Sequence, residues 1–306
     1  MNIPVVLITG GLTGIGRAAA VAFARKGAKV VVAGRRDEAG KALVKELRAL
    51  GSEAEFINAD VRQEDDVRNM VDEAVARFGR LDVAVNNAAT EGVVGPITDQ
   101  TAETFAATFE TNVLGVVLSM KHEVRAMQAQ GSGSIINISS TYGHAGAAFA
   151  SIYVGAKHAV EGITKSVALE VAKSGILVNA VAPGPTDTGM LTRFTGTAEN
   201  KAALATEVPL GRLGLAEEWP TASCSSRRTK PGSSRATCST STAATARTDP
   251  VWARRLVPRP VRRRSFRYPA ASSPRSSGYI GVRSLVLNGA SRGKSYPSFR
   301  REGARS

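Results

Sequence analysis

The chain reads as an α/β protein, a doubly wound parallel sheet with helices on both faces. Three observations predict it. Short apolar runs of strand length alternate with stretches of helical periodicity from residue 4 to residue 184. A glycine-rich turn, with Gly10, Gly14 and Gly16, lies between the first apolar run and the first helix. Polar residues gather where successive strands end, at Asn86 and Asn87 and again at Ser139 and Ser140. Open sheets of this class bind ligands at that edge.

Residues 4–8, PVVLI, make the first buried strand, and TGGLTGIG turns into an apolar helix. Gly10, Gly14 and Gly16, with Ile15 between the last two, allow a tight turn and close backbone approach to a pyrophosphate. The helix N-terminus favours the negative charge. The spacing departs from the usual GxGxxG, and an ordinary strand–helix loop is the plainer reading. The second strand, residues 28–34, runs into Gly34, Arg35 and Arg36. An acid at that point would bind a ribose 2′-hydroxyl, whereas an Arg accommodates a 2′-phosphate. Two arginines and no acid favour NADP(H), with NAD(H) the alternative and two solvated arginines the plainer reading.

Leu43, Leu47 and Leu50 mark the apolar face of the next helix, and residues 53–61 carry a third strand ending at Asp60 and Val61. Asp60 either meets an adenine amine or caps a turn. Val67, Met70, Val71, Ala74, Val75 and Phe78 follow helical spacing. Residues 81–89 form a fourth strand running into Asn86, Asn87, Ala88 and Ala89. Small residues there permit contact with a flat cofactor, and Asn can pin strands and loops. Residues 101–130 read as one long helix containing Asn112, a mild helix breaker. It is either a bent polar site or a satisfied core amide. Residues 134–140 form strand five, 153–173 a helix and 176–184 strand six.

Tyr153 and Lys157 are four residues apart, so a helix stacks them on one face. A free Tyr, with a pKa of about 10, is a poor acid or base at neutral pH. A neighbouring cation lowers that value, and a tuned acid–base contributes roughly 10²–10⁴-fold. Ser140 can hydrogen-bond the same substrate oxygen. The plainer reading is an amphipathic helix with one Tyr and one solvated Lys. His122, His144 and His158 form no metal-ligand cluster, and no metal is expected. His144 is a candidate pocket residue and the other two are expected at the surface.

Residues 1–218 resemble the short-chain dehydrogenase/reductase family through TGGLTGIG, Asp60-Val61, NNAA for the family's NNAG, Asn112, Ser140, Tyr153 with Lys157, and PGPTDT at 183–188. The resemblance implies a Rossmann-like sheet and hydride transfer between nicotinamide and a secondary alcohol or ketone. It implies Tyr153 as proton donor or acceptor, and Lys157 as the group that lowers its pKa and binds the nicotinamide ribose. Ser140 would orient the substrate oxygen, and Asn112 would help hold a water relaying protons to Lys157. Cofactor contacts would come from Gly10, Gly14, Ile15, Gly16, Arg35, Arg36, Asp60, Val61, Asn87, Ala88, Tyr153, Lys157, Pro183, Gly184, Thr186 and Thr188. Residues 189–210 fall where the family keeps a variable lid, and Met190, Leu191 and Phe194 offer it apolar contacts. A homo-oligomer is also implied.

The net charge of +14 hides two compositions. Residues 1–218 hold 21 Lys and Arg against 24 Asp and Glu, whereas residues 219–306 hold 19 against 2. Both cysteines, Cys224 and Cys238, fall in the second part, which fits a reducing cytoplasm for the first. No secretion signal or membrane span is read. We expect a catalytic domain over 1–218 and a tail over 219–306 that is an out-of-frame reading of the family's C-terminal part. Shifting each codon by one base lets 225–229 encode Leu-Leu-Ala-Ser-Asp, 233–236 encode Phe-Val-Thr-Gly, and 237–244 encode His-Val-Leu-Asp-Val-Asp-Gly-Gly. The tail is then expected to be irregular, disordered chain, except that the apolar run at 279–287 either pairs as a strand where a sheet edge is free or is a chance run. The last strand would be missing and strand six left as a bare edge. The rival reading is a non-catalytic nucleotide-binding regulator whose basic arm binds nucleic acid. A folding-defective product cuts across both.

Overall fold

The computed structural model describes residues 3–219 and the backbone of residues 238 and 239. Every residue of β1 (Val5–Thr9) is buried, and its side chains alternate between two cores. Leu7 joins one cluster, Val6 and Ile8 the other. The chain continues through α1 (Gly14–Arg25), β2 (Lys29–Gly34), α2 (Asp37–Ala49), β3 (Ala54–Asn58), α3 (Glu64–Phe78) and β4 (Val83–Asn86). It then forms α4 (Ala102–Phe109), α5 (Gly115–Gln130), β5 (Gly133–Ile138), α6 (Ser151–Glu170), β6 (Ile176–Val181), α7 (Gly189–Thr195) and α8 (Ala198–Glu207).

The strands lie in the order β3-β2-β1-β4-β5-β6, and every pairing is parallel. Apolar side chains of α3, α5 and α6, among them Met70, Met127 and Val160, cover the Leu7 face. Phe23 of α1 and Leu43 and Leu47 of α2 cover the opposite face. Chain order reverses between β1 and β4, so the loops after them diverge and open a crevice. Thr9 is level with both Ala33 and Asn86, which aligns the strand ends at its rim.

The helix expected over 101–130 is in three pieces. Residues Glu110–Leu114 form a π-helical turn between α4 and α5. Its cause is the fully buried Asn112, whose amide leaves the helix to hold the Thr90 backbone. Nδ2 donates to the Thr90 carbonyl at 2.8 Å, and Oδ1 accepts from the Thr90 N–H at 2.8 Å. A π turn absorbs such a distortion. The third strand stops at Asn58, before the expected Asp60, because Asp60 begins a turn in which its carboxylate accepts from the Arg62 N–H at 3.1 Å. His122 is not at the surface. It is 2% exposed, with Nε2 3.5 Å from the carboxylate of Glu64 on α3.

Trp219, where the two compositions meet, is 2% exposed and packs in the cluster containing Phe23 and Val32. The edge of β6, expected to be bare, carries a two-residue parallel strand, β7 (Cys238–Ser239), with Ala180 opposite Cys238 and Val181 opposite Ser239. The expectations for 220–237 and 240–306, including the apolar run at 279–287, lie outside the described residues. Among the described residues no helix is long and apolar enough to cross a membrane.

Candidate active site

At Gly10 and Gly16 the turn after β1 is packed too tightly for any other residue. Gly10 has φ +62°, and a Cβ there would lie 2.7 Å from the Ala88 Cα. A Cβ on Gly16 would lie 2.4 Å from the Gly10 carbonyl oxygen. Asn87 ties the loop after β4 to this turn. Its Nδ2 donates to the Gly10 and Thr9 carbonyls at 3.0 and 3.2 Å, while the N–H groups of Asn87 and Ala88 donate to the Thr9 hydroxyl at 3.1 and 3.2 Å. Helix α1 starts at Gly14 with no acidic residue in its first turn and no side-chain cap. Its first N–H groups are left for an anion.

A cleft of about 570 Å³ runs along the strand ends. Gly10, Gly14, Ile15, Arg35, Arg36, Asp60, Val61, Asn87 and Ala88 line it from the β3–β1–β4 side. Ser140, Tyr153, Lys157, Pro183, Gly184, Thr186 and Thr188 line it from the β5–β6 side. Two expected site residues do not reach it. Gly16 lies under the turn against Gly10 and Asn87. Asn112 is committed to Thr90, so its amide is a satisfied core group in a bent helix.

Several expected contacts have other partners here. Asp60 is gripped by Arg62, whose Nη2 is 2.6 Å from Oδ2, with Arg35 Nη1 at 3.7 Å. The hydrogen bond from Arg62 chiefly holds its carboxyl below the usual range. Thr186 turns its hydroxyl to the Gly184 carbonyl at 2.9 Å, and Thr188 caps α7 by accepting from the Leu191 N–H at 3.3 Å. His144 does not line the cleft. Its Nδ1 lies 3.4 Å from the Glu161 carboxylate, which also accepts from the Ser139 hydroxyl at 2.9 Å. Behind the strand end, a buried carboxylate is the better partner for that imidazole.

Tyr153 and Lys157 share a face of α6 as their spacing predicts, with Nζ 5.6 Å from the ring centroid. The ammonium donates to the Ile138 carbonyl at 2.8 Å. The expected lowering of the Tyr153 pKa is not found. Burial pushes the phenol up to about 12; a hydrogen bond from Ser140 opposes this, and Tyr142 and Glu91 add to it. Lys157 is itself pushed down to about 8 by burial. Desolvation of the buried phenol is the largest cause of its shift, ahead of the Ser140 hydrogen bond that opposes it.

Sequence reasoning missed Tyr142, Glu91 and Arg193, all lining the cleft. The Phe194 ring of α7 lies 6.1 Å from Tyr153 and 6.2 Å from Tyr142, so the segment read as a lid does face the candidate acid–base. Met190, Leu191 and Leu204 complete an apolar wall. The arrangement can hold an elongated anionic ligand along the glycine turn and present a small apolar molecule to a phenol, a hydroxyl and an amine. The tight turn at Gly10 and Gly16, the open N–H groups of α1 and the arginines at the far end fit a dinucleotide.

The short chain dehydrogenase family model matches residues 4–199. Over 218 residues the chain is 40% identical to a 2,5-dichloro-2,5-cyclohexadiene-1,4-diol dehydrogenase of Sphingobium indicum, covering 70% of this chain and 85% of that one. It is 40% identical over 214 residues to a cis-4-hydroxycyclohexanecarboxylate dehydrogenase of Sinomonas cyclohexanicum, with 70% and 85% covered. Among solved structures, ElxO with NADP bound superposes with a TM-score of 0.70 at 32% identity, covering 76% of this chain and 94% of that one. NAD⁺-bound xylitol dehydrogenase superposes with a TM-score of 0.69 at 30% identity, covering 72% and 90%.

Proposed function

The chain belongs to the short-chain dehydrogenase family, and we propose that it transfers hydride between NADP(H) and a secondary alcohol or ketone on a small ring, with Tyr153 as acid–base. The observation that carries this reading is the sharing of one cleft by Ser140, Tyr153 and Lys157 with the glycine turn, Arg35 and Arg36. When bound, the cofactor supplies or accepts the hydride; the protein supplies position and electrostatics. Gly10, Gly14, Ile15 and the start of α1 hold the pyrophosphate, with Gly16 shaping the turn from beneath. Arg35 and Arg36 pair with the 2′-phosphate, while Asp60 and Val61 border the adenine. Asn87, Ala88, Pro183, Gly184, Thr186 and Thr188 border the nicotinamide half, and Lys157 binds its ribose.

Ser140 orients the substrate oxygen, and Tyr153 moves the proton at that oxygen. A phenol held up at about 12 is protonated at neutral pH, which suits donation to a carbonyl. Asn112 acts by positioning the Thr90 loop. The ring substrate rests on the two similar dehydrogenases and on the apolar wall of Met190, Leu191 and Phe194. A cytoplasmic homo-oligomer fits the cysteine-free first part and the family.

Tyr153→Phe tests the reading. Turnover of cyclohexanol with NADP⁺ is expected to fall by about 10²–10⁴-fold, while NADPH binding, read by fluorescence, is retained. Near-parental turnover would remove Tyr153 from the role.

A second reading concerns the tail. We propose that residues 1–218 are the catalytic domain and that 219–306 are translated out of frame, leaving a product of impaired folding. The pairing of Cys238 and Ser239 with β6 favours it, because the restored reading of 237–244 places Val and Leu at those two positions. Resequencing the gene around codon 219 tests this directly; an intact in-frame reading would refute it.

A further inference from the structure

Glu91 and Arg193 are 102 residues apart and meet across the mouth of the cleft. Nε and Nη2 of Arg193 donate to the two carboxylate oxygens of Glu91 at 2.5 and 3.0 Å, a bidentate pair. The Glu91 side chain is 13% exposed and that of Arg193 63% exposed. Arg193 immediately precedes Phe194, whose ring faces Tyr153. Of the cations lining the cleft among the described residues, Arg35 lies beside Asp60 at the other end, with Arg36 next to it, and Lys157 is turned onto Ile138. Arg193 is therefore the guanidinium beside the apolar wall.

We propose that Glu91 is a specificity-determining residue: by occupying Arg193 it makes the cleft select neutral ring alcohols and ketones over ring substrates bearing a carboxylate. This rests on the alcohol–ketone reading above and decides a question that reading leaves open. Guanidinium forks bind carboxylates bidentately and with geometric preference. A carboxylated substrate would have to displace Glu91, which is tethered on the same chain and present at high effective concentration. Displacement would also leave the largely buried Glu91 carboxylate without its partner, beside a second anion. A neutral ring has no such contest. Its apolar contacts with Met190, Leu191 and Phe194 leave the ion pair in place.

The test reads binding and needs no turnover. Cyclohexanecarboxylate, a ring with a carboxylate and no alcohol, is titrated calorimetrically into the full chain, into Glu91→Gln, into Glu91→Asp and into the double variant Glu91→Gln, Arg193→Gln. Glu91→Gln is expected to bind it about tenfold more tightly than the parent. Glu91→Asp keeps the negative charge beside Arg193 and the weak parental binding, and the double variant loses the gain. Equal binding by parent and Glu91→Gln, a gain in Glu91→Asp, or a gain that survives loss of Arg193 would overturn the proposal. Cyclohexanol turnover by the parent is assayed separately. Its absence counts against the proposed activity and leaves the binding comparison standing.

Discussion

The Lys157 ammonium donates to the Ile138 carbonyl at 2.8 Å, fastening α6 to the end of β5. Burial pushes it down to about 8 from an ordinary 10.5. The folded chain thus sheds this proton near pH 8, while the unfolded chain keeps it to about 10.5. The unfolded state binds more protons across that window, so stability rises with pH through it, and below it the full cost of the buried charge is present. Lys157→Met is expected to remove this rise, measured as the urea midpoint from pH 7 to pH 10.5, and to abolish turnover. A parallel pH dependence in parent and variant would contradict the assignment.

Glu123 titrates in the opposite sense. It is fully buried on α5, where Oε2 accepts from Asn86 at 3.0 Å and Oε1 has no partner among the described residues. Burial pushes its carboxyl up to about 7 from 4.5. The folded chain keeps this proton after the unfolded chain has lost it, so its contribution is complete below pH 4.5 and is lost as pH rises through about 7. Glu123→Gln keeps the acceptor and cannot ionise. It is expected to exceed the parent in stability above pH 7 by on the order of a few kcal/mol and to match it in acid. Thermal melts at pH 4.5 and 8 give the comparison, and a variant weaker than the parent at pH 8 would count against it.

The proposed preference for NADP(H) rests on Arg35 and Arg36. Replacing both by Ala is expected to lower kcat/KM for NADPH by roughly 10–100-fold, on the order of one charge-assisted hydrogen bond, with little change for NADH. Installing an acid at Gly34 is a poorer test, because a Cβ there would lie 2.8 Å from the end of Leu12. Equal efficiency with the two coenzymes in the parent would end this assignment.

Trp219 contributes to the core despite its place at the seam. Trp219→Ala is expected to cost about 3–5 kcal/mol in urea unfolding. Trp219→Phe should cost less, since it also removes an indole N–H that has no partner among the described residues. A variant within error of the parent would show that the first composition ends before this residue matters.

What could be read in the chain was whatever the physics makes local. The alternation of β1 side chains between two cores and the helical spacing at Val67, Met70, Val71 and Ala74 are set by backbone periods of 2 and 3.6, so the layers follow from the residues themselves. The stacking of Tyr153 and Lys157 on α6 is local in the same way, whereas the crowding at Gly10 comes from Ala88, far along the chain. Other features depended on which distant groups came within reach. His144 found Glu161, Asn112 found Thr90, Arg193 found Glu91, and Cys238 found the edge of β6. Even the protonation of Tyr153 was of this kind. Its spacing from Lys157 predicts a lowered pKa, but desolvation by the surrounding wall is a property of the packed whole, and it raises the phenol instead. The sequence alone determined the layers and the order of the site residues along the chain. Tertiary structure alone decided their partners and charge states, because hydrogen bonding and desolvation depend on distances in space that no local spacing encodes.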